Sequence, residues 1–132
     1  MKLGASHYYA TSDEATFETL ASSFDLIINT VSANLKLDDY LRLLTLDGTI
    51  VNVGAPAEPI SLHVANLIGH RRSIAGLAIG GIRETQEMLD FCSKHNIEPQ
   101  IELISADQID DAYERVLASD VKYRFVIDTS TM

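Results

Sequence analysis

The stretch Asp47–Pro56, DGTIVNVGAP, constrains the fold more than any other part of the chain. Asp47-Gly48 is a turn pair, Thr49, Ile50, Val51 and Val53 favour extended backbone, and Gly54-Ala55-Pro56 ends the run, so the segment reads as a strand. Its apolar residues do not alternate cleanly with polar ones, and helical patterns flank it on both sides. A strand of this kind is expected to be covered on both faces, as a parallel strand between helix layers is. The class that follows is α/β. In parallel sheets ligands collect beyond the carboxyl ends of the strands, where a glycine such as Gly54 lets backbone approach a flat or phosphorylated group.

The flanking sequence supplies the other elements. Ser6–Ala10 (SHYYA) is a short strand candidate in which His7, Tyr8 and Tyr9 are expected to pack, and Thr11 and Glu14 have the spacing of a capping box. A short helix follows, with Phe17, Leu20 and Ala21 on one face, and Phe24–Val31 (FDLIINTV) reads as a second buried strand. Leu37, Tyr40, Leu41 and Leu44 fall at i, i+3, i+4 and i+7, the stripe of an amphipathic helix that Asn34 is placed to cap. A less regular helix over about Leu62–Gly69 leads to Ser73–Ile79 (SIAGLAI), a third consecutive parallel strand. Beyond the hinge candidate Gly80-Gly81 come a helix over Glu84–His95 ended by Asn96 and Pro99, an extended Ile101–Ile104, a helix from Asp107, and a closing strand Tyr123–Asp128. In the helix from Asp107 the stripe is Ile109, Ala112, Tyr113, Val116 and Leu117.

Composition excludes several function classes. A chain of 132 residues, 46% hydrophobic and 22% charged, suits one globular domain. Ten Lys and Arg against nineteen Asp and Glu give a formal charge of −9, which opposes nucleic acid and anionic membranes at long range. No run approaches the ~20 apolar residues that span a bilayer, and MKLGASHYY lacks the basic and apolar regions of a signal peptide, so the expected location is cytoplasmic. The single cysteine, Cys92, excludes an intramolecular disulfide and a zinc site of several thiolates; it reads as a small buried hydrophobe. His63 and His70 lack a third ligand, and Ser32 lacks a Gly-x-Ser-x-Gly context. Asp38-Asp39 and Asp110-Asp111 suit the first turns of helices. His70-Arg71-Arg72 is a basic spot that can hold one phosphate or simply stay solvated.

The runs LGASHYYATS, FDLIINTVSAN, DGTIVNVGAP, GGIRETQEMLDFC and DDAYERVLASDVKYRFVID resemble the C-terminal part of zinc-dependent medium-chain alcohol dehydrogenases, in the cinnamyl-alcohol-dehydrogenase-like NADP(H) branch. The likeness runs from end to end, and GIRETQEML and ASDVKYRFV are its most specific pieces. It implies a partial Rossmann-like α/β/α fold with a parallel sheet lacking its first two strands, plus a C-terminal β-α-β extension. The NADP-binding part would cover 1–81, and 82–132 would return towards a catalytic domain. The family binds catalytic zinc through Cys, His and Glu of an N-terminal domain and a second zinc through four cysteines; this chain has neither set. It implies a C-terminal piece of the enzyme, with weak or absent NADP(H) affinity and no catalytic or metal-binding residue of its own. With the family strand order 3-2-1-4-5-6, Ser6–Ala10 loses its neighbour and is expected to close onto Phe24–Val31 or pair elsewhere. The strand Ser73–Ile79 would join two copies into a homodimer.

The resemblance also places part of a cofactor wall. Thr30, Val31 and Ser32 match a strand end along the ribose and nicotinamide, though these residues equally suit an ordinary strand-to-helix turn. Val53, Gly54 and Ala55 match the segment whose backbone meets the nicotinamide carboxamide; a plain chain reversal before Pro56 also fits them. Ile79, Gly80 and Gly81 match the lining of the nicotinamide pocket, and Arg124 matches an arginine that reaches the pyrophosphate, or else projects from an edge strand. Two classes of function remain open: a piece of an oxidoreductase for a small alcohol or aldehyde, contributing part of the cofactor cleft, and a non-catalytic assembly or binding module.

Overall fold

Asp47–Pro56 supplies the middle of a parallel sheet. In the structure, a computed structural model that describes residues 4–132, strand β2 (Leu44–Asn52) lies between β1 (Phe24–Asn29) and β3 (Ser73–Gly76). The register places Ile27 opposite Ile50 and Ile50 opposite Ile74, with Ile28, Val51 and Ala75 aligned one step on. The chain divides into two compact units, Met1–Ile79 and Gly80–Met132.

In the first unit three helices accompany the sheet: α1 (Ala15–Thr19), α2 (Leu37–Leu43) and α3 (Ala65–Ile68). Leu37 and Leu41, one turn apart on α2, meet Leu44 and Ile50 in a buried cluster, against which Ile27, Tyr40, Leu62 and Leu67 pack. Because side chains alternate along a strand, Leu26 and Ile28 point away from that cluster, and they are 55% and 62% exposed. Coverage on both faces, expected from the unbroken apolar run, therefore fails on the Leu26–Ile28 side. Asp47-Gly48 does not precede the strand as a turn; it lies within β2, where Asp47 is left-handed at φ 64° and the register jumps from Phe24–Leu44 to Leu26–Thr49. A Cβ on Gly48 would stand 3.0 Å from Leu44 Cβ and 3.2 Å from the Phe24 carbonyl oxygen, so a side chain at this crossing would press on both strands.

Several local expectations are corrected. Ser6–Ala10 forms no strand and pairs with none, and Tyr8 is 77% exposed instead of packed. Tyrosines favour extended backbone, but a strand exists only with a ladder partner. The Thr11–Glu14 capping box is not made: Asp13 Oδ1 accepts from the Ala15 amide at 3.0 Å, and Thr16 Oγ1 donates back to the Ala10 carbonyl at 3.0 Å. Asn34 does not cap α2, which starts after Lys36 without a side-chain cap. The strands stop at Asn29 and Gly76 and the Leu62–Gly69 helix shrinks to α3.

Both guanidiniums of His70-Arg71-Arg72 are engaged within the fold. Arg71 makes a two-pronged pair with Asp47, 2.8 Å from Nε to Oδ1 and 2.5 Å from a terminal nitrogen to Oδ2, and that donation holds the Asp47 carboxyl below its usual range. Arg72 is buried, and its guanidinium donates to backbone carbonyls: Nε and a terminal nitrogen reach Leu44 at 3.0 and 2.6 Å, and another reaches Asn66 at 3.3 Å. A guanidinium's five donors make it suited to gathering loose carbonyls from separate elements.

Asp38, in the first turn of α2, does more than complement the helix dipole. It accepts from the His63 ring Nδ1 at 2.7 Å, the His63 amide at 2.9 Å and Asn66 Nδ2 at 2.7 Å, fastening the entry to α3 onto α2. His63 is thus tied to a carboxylate, and α3 contains neither it nor His70. The hydrogen bond from the His63 side chain, then that from its amide, lowers the Asp38 pKa to about 2. A depressed carboxylate adds stability that is full above its unfolded pKa, near 3.8, and is lost as pH falls through about 2. Acidification across that window should release the His63 and Asn66 amides while the Ile27–Ile50 ladder persists; amide shifts followed by NMR check this, and a His63 shift titrating only at ordinary carboxylate pH would contradict it.

The second unit is a helix α4 (Ile82–His95) followed by a β-α-β arrangement of β4 (Glu102–Ile104), α5 (Ile109–Leu117) and β5 (Phe125–Ile127). Strands β4 and β5 are parallel, Glu102 opposite Phe125 and Ile104 opposite Ile127. Helix α4 opens with Glu84 accepting from the Gly81 amide at 2.7 Å and closes at Asn96, whose left-handed φ of 53° lets the Ile97 amide reach the Cys92 carbonyl at 2.9 Å. Cys92 is partly exposed, with Sγ 3.6 Å from Met88 Sδ. Arg115 of α5 bonds Glu102 at 2.8 Å and Asp120 at 3.2 Å and lies 4.8 Å above the Phe125 ring.

Candidate cofactor-binding rim

The carboxyl ends of β1 and β2 carry the residues singled out by the sequence. Beyond β1 run Thr30, Val31 and Ser32, and beyond β2 run Val53, Gly54 and Ala55. The two exits are brought together: the Val53 and Gly54 amides donate to the Asn29 carbonyl at 2.9 and 3.1 Å, and the Ala55 amide donates to Ser32 Oγ at 3.3 Å. Gly54 is pressed against the other turn. A Cβ there would lie 2.9 Å from the Thr30 carbonyl carbon, 2.5 Å from that of Val31, and closer still to the Val31 oxygen. The glycine is thus consumed by an internal backbone approach, while Thr30, Val31, Ser32, Val53 and Ala55 are exposed.

The remaining candidates lie elsewhere. Ile79, 88% exposed, closes the first unit. Gly80 and Gly81 belong to the second, where Gly81 is the N-cap of α4. Arg124, also in the second unit, is exposed just before β5; its carbonyl accepts from the Glu102 amide at 3.0 Å, and it borders an apolar hollow of about 390 Å³ with Tyr113, Val116 and Tyr123. Among the described residues, no three His, Cys, Asp or Glu side chains gather to hold a metal ion. No helix of the described residues is long and apolar enough to cross a membrane.

Sequence reasoning missed Asn29 and Asn52. Asn29 is 9% exposed, donates through Nδ2 to Asn52 Oδ1 at 2.9 Å, and accepts from the Val31 amide at 3.1 Å. The signal was available: the two strand runs end alike, Ile27-Ile28-Asn29 and Ile50-Val51-Asn52, and parallel pairing sets the two amides side by side.

Residues 1–94 match the family described as zinc-binding dehydrogenase. The chain belongs to that family. Among zinc-binding dehydrogenases it is 64% identical over all 132 residues to the probable formaldehyde dehydrogenase AdhA of Bacillus subtilis, covering 38% of that protein. It is 60% identical over the same length to an NADP-dependent alcohol dehydrogenase C of Mycolicibacterium smegmatis, again covering 38%. The solved cinnamyl alcohol dehydrogenase of Sorghum bicolor superposes on 98% of the chain with a TM-score of 0.88 at 37% identity, over 36% of its own length. The parallel sheet and its helices are thus those of a Rossmann-like zinc-binding dehydrogenase, and the chain spans just over a third of the length of these relatives.

Proposed function

We propose that this chain supplies part of the NADP(H) cleft of a cytoplasmic zinc-type alcohol dehydrogenase that interconverts small alcohols and aldehydes. The observation that carries the reading is the joined pair of strand exits, Thr30–Ser32 and Val53–Ala55, at the end of a parallel sheet where nucleotides gather. In this reading the first unit's Thr30, Val31, Ser32, Val53, Gly54 and Ala55 form the rim along the ribose and nicotinamide; the resemblance alone assigns Ile79, Gly80 and Gly81 to the pocket lining and Arg124 to a phosphate. When bound, the nicotinamide supplies the hydride chemistry; these residues orient it and exclude water. The family's zinc finds no donor set among the described residues, so the chain assigns itself no step through a metal.

The expected affinity is low. The sequence has no Gly-x-Gly-x-x-Gly turn, the element that places a pyrophosphate on a helix N-terminus. NADPH is expected to bind no tighter than roughly millimolar, about −4 kcal/mol, with no aldehyde reduction on addition of zinc. Calorimetry with NADPH and an aldehyde-reduction assay check this; micromolar binding, or turnover above a protein-free control, would overturn it.

The reading extends to assembly. Strand β3 is an edge strand exposed at every residue, Ser73 to Gly76, and unpaired edge groups template pairing. A homodimer through Ser73–Ile79 is expected, with light scattering giving twice 14.5 kDa. A mass of one chain at every concentration tested would reject it. The Leu26–Ile28 face, left open to solvent, favours as a second reading a module whose surface serves assembly.

A further inference from the structure

Asn29 and Asn52 end β1 and β2, lie opposite each other, and project to the same side as Ile27 and Ile50. Beside the packing of Gly54 on the Thr30–Val31 turn, the hydrogen bonds that join the strand exits among the described residues pass through one of these two residues or through Ser32. The Asn29 carbonyl takes the Val53 and Gly54 amides, and its side-chain oxygen takes the Val31 amide. Its side-chain nitrogen donates to Asn52, whose own carbonyl takes the Leu77 amide at 3.1 Å, just past β3. Backbone pairing alone would leave the Val31 amide without an acceptor.

We propose that the Asn29–Asn52 pair is the positioning device of the nucleotide rim, clamping the exits of β1, β2 and β3 into one preformed surface. The inference rests on the cofactor reading above and names the residues that shape that same site without touching the ligand. A primary amide is suited to the Asn29 position because it donates and accepts at once, in this case to Asn52 and from Val31. Leucine, of similar shape, does neither. Aspartate keeps the acceptor for Val31, and its second oxygen can accept from Asn52 once that amide is turned over. Asn52 is only half-buried, which leaves room for the turn.

The test uses the whole 132-residue chain as wild type, N29L, N29D and N52L, followed residue by residue by amide hydrogen exchange and by NMR during titration with millimolar NADPH. In N29L, exchange at Val31 is expected to rise about tenfold, the worth of the one hydrogen bond lost there, and exchange at Gly54 to rise with it because the Asn29 carbonyl that Gly54 bonds is no longer held by its side chain, while Ile50 and Leu41 stay unchanged. N29D should restore the slow exchange. NADPH-induced shifts at Ser32 and Ala55 should be present in wild type, absent in N29L, and present again in N29D. Unchanged exchange at Val31 and Gly54 in N29L, or a uniform rise across the sheet, would overturn the clamp. Loosened exits with undiminished NADPH shifts would overturn its role in binding. If wild type shows no NADPH shifts, the cofactor reading fails and the binding role falls with it, whereas the exchange pattern still decides the clamp. Should N29L not fold, N52L carries the decision: it spares the Val31 bond and strands Asn29 Nδ2, so exchange at Gly54 and Leu77 should quicken, and unchanged rates there would overturn the proposal.

Discussion

Replacing Leu41 by alanine is expected to destabilise the Met1–Ile79 unit by about 2–5 kcal/mol, the range for deleting a buried leucine side chain without full collapse of the cavity. Leu41 is fully buried, and so are its neighbours Leu44 and Ile50. The cluster is small: Leu37, Leu41, Leu44 and Ile50 form it, and the residues packed around it are only partly buried. A whole domain is commonly stable by about 5–15 kcal/mol, so this one truncation removes much of what holds α2 on the sheet. Leu26→Ala is the contrast, because the 55% exposed Leu26 sits on the open face and should change stability by about 0.5 kcal/mol or less. Urea unfolding followed by circular dichroism measures both. Equal midpoints for the two variants would show that the α2 face is not the core.

What could be read from the sequence was what depends on short-range pattern. The DGTIVN part of DGTIVNVGAP lies in the central parallel strand, and Leu37, Tyr40 and Leu41 at i, i+3 and i+4 belong to a helix packed on it, whereas Leu44, placed at i+7 of that stripe, opens β2 instead. Asn96 ends α4 because a left-handed residue is a local requirement that asparagine tolerates. The family resemblance extended this to the fold class, which the superposition on a cinnamyl alcohol dehydrogenase bears out.

What escaped was what depends on partners far along the chain. Asp38 looked like a helix-dipole residue since nothing nearby shows that His63, 25 positions on, returns to it. Arg71 and Arg72 looked alike as surface cations, yet one pairs with Asp47 and the other, buried, collects carbonyls from Leu44 and Asn66. Ser6–Ala10 has the residues of a strand and no neighbour to form one. Burial failed for a related reason: an apolar run reports that a strand can be covered on both sides, and the Leu26–Ile28 face shows that cover needs a second layer, which the run itself does not provide.

Gly54→Ala is expected to cost about 1–3 kcal/mol, as overpacking does, and to move the exits of β1 and β2 apart before any nucleotide is added. The added methyl would meet the Thr30–Val31 backbone, with the Val31 carbonyl carbon at 2.5 Å, and backbone cannot swing aside as a side-chain tip can. Gly76→Ala in β3 is the control, because its nearest new neighbour is the Asn52 carbonyl oxygen at 3.8 Å, an ordinary contact; that change should be neutral or slightly stabilising by restricting the unfolded chain. Thermal unfolding of the two variants, with NMR shifts at Thr30 and Val31, makes the comparison. The outcome separates two reasons for a glycine at this position. A loss of stability in the nucleotide-free protein means the residue is small so that the two turns can touch, and any cofactor then meets a surface that this contact has already shaped. If Gly54→Ala unfolds like Gly76→Ala and only NADPH binding weakens, the contact between turns is not what requires glycine, and close approach to the nicotinamide is.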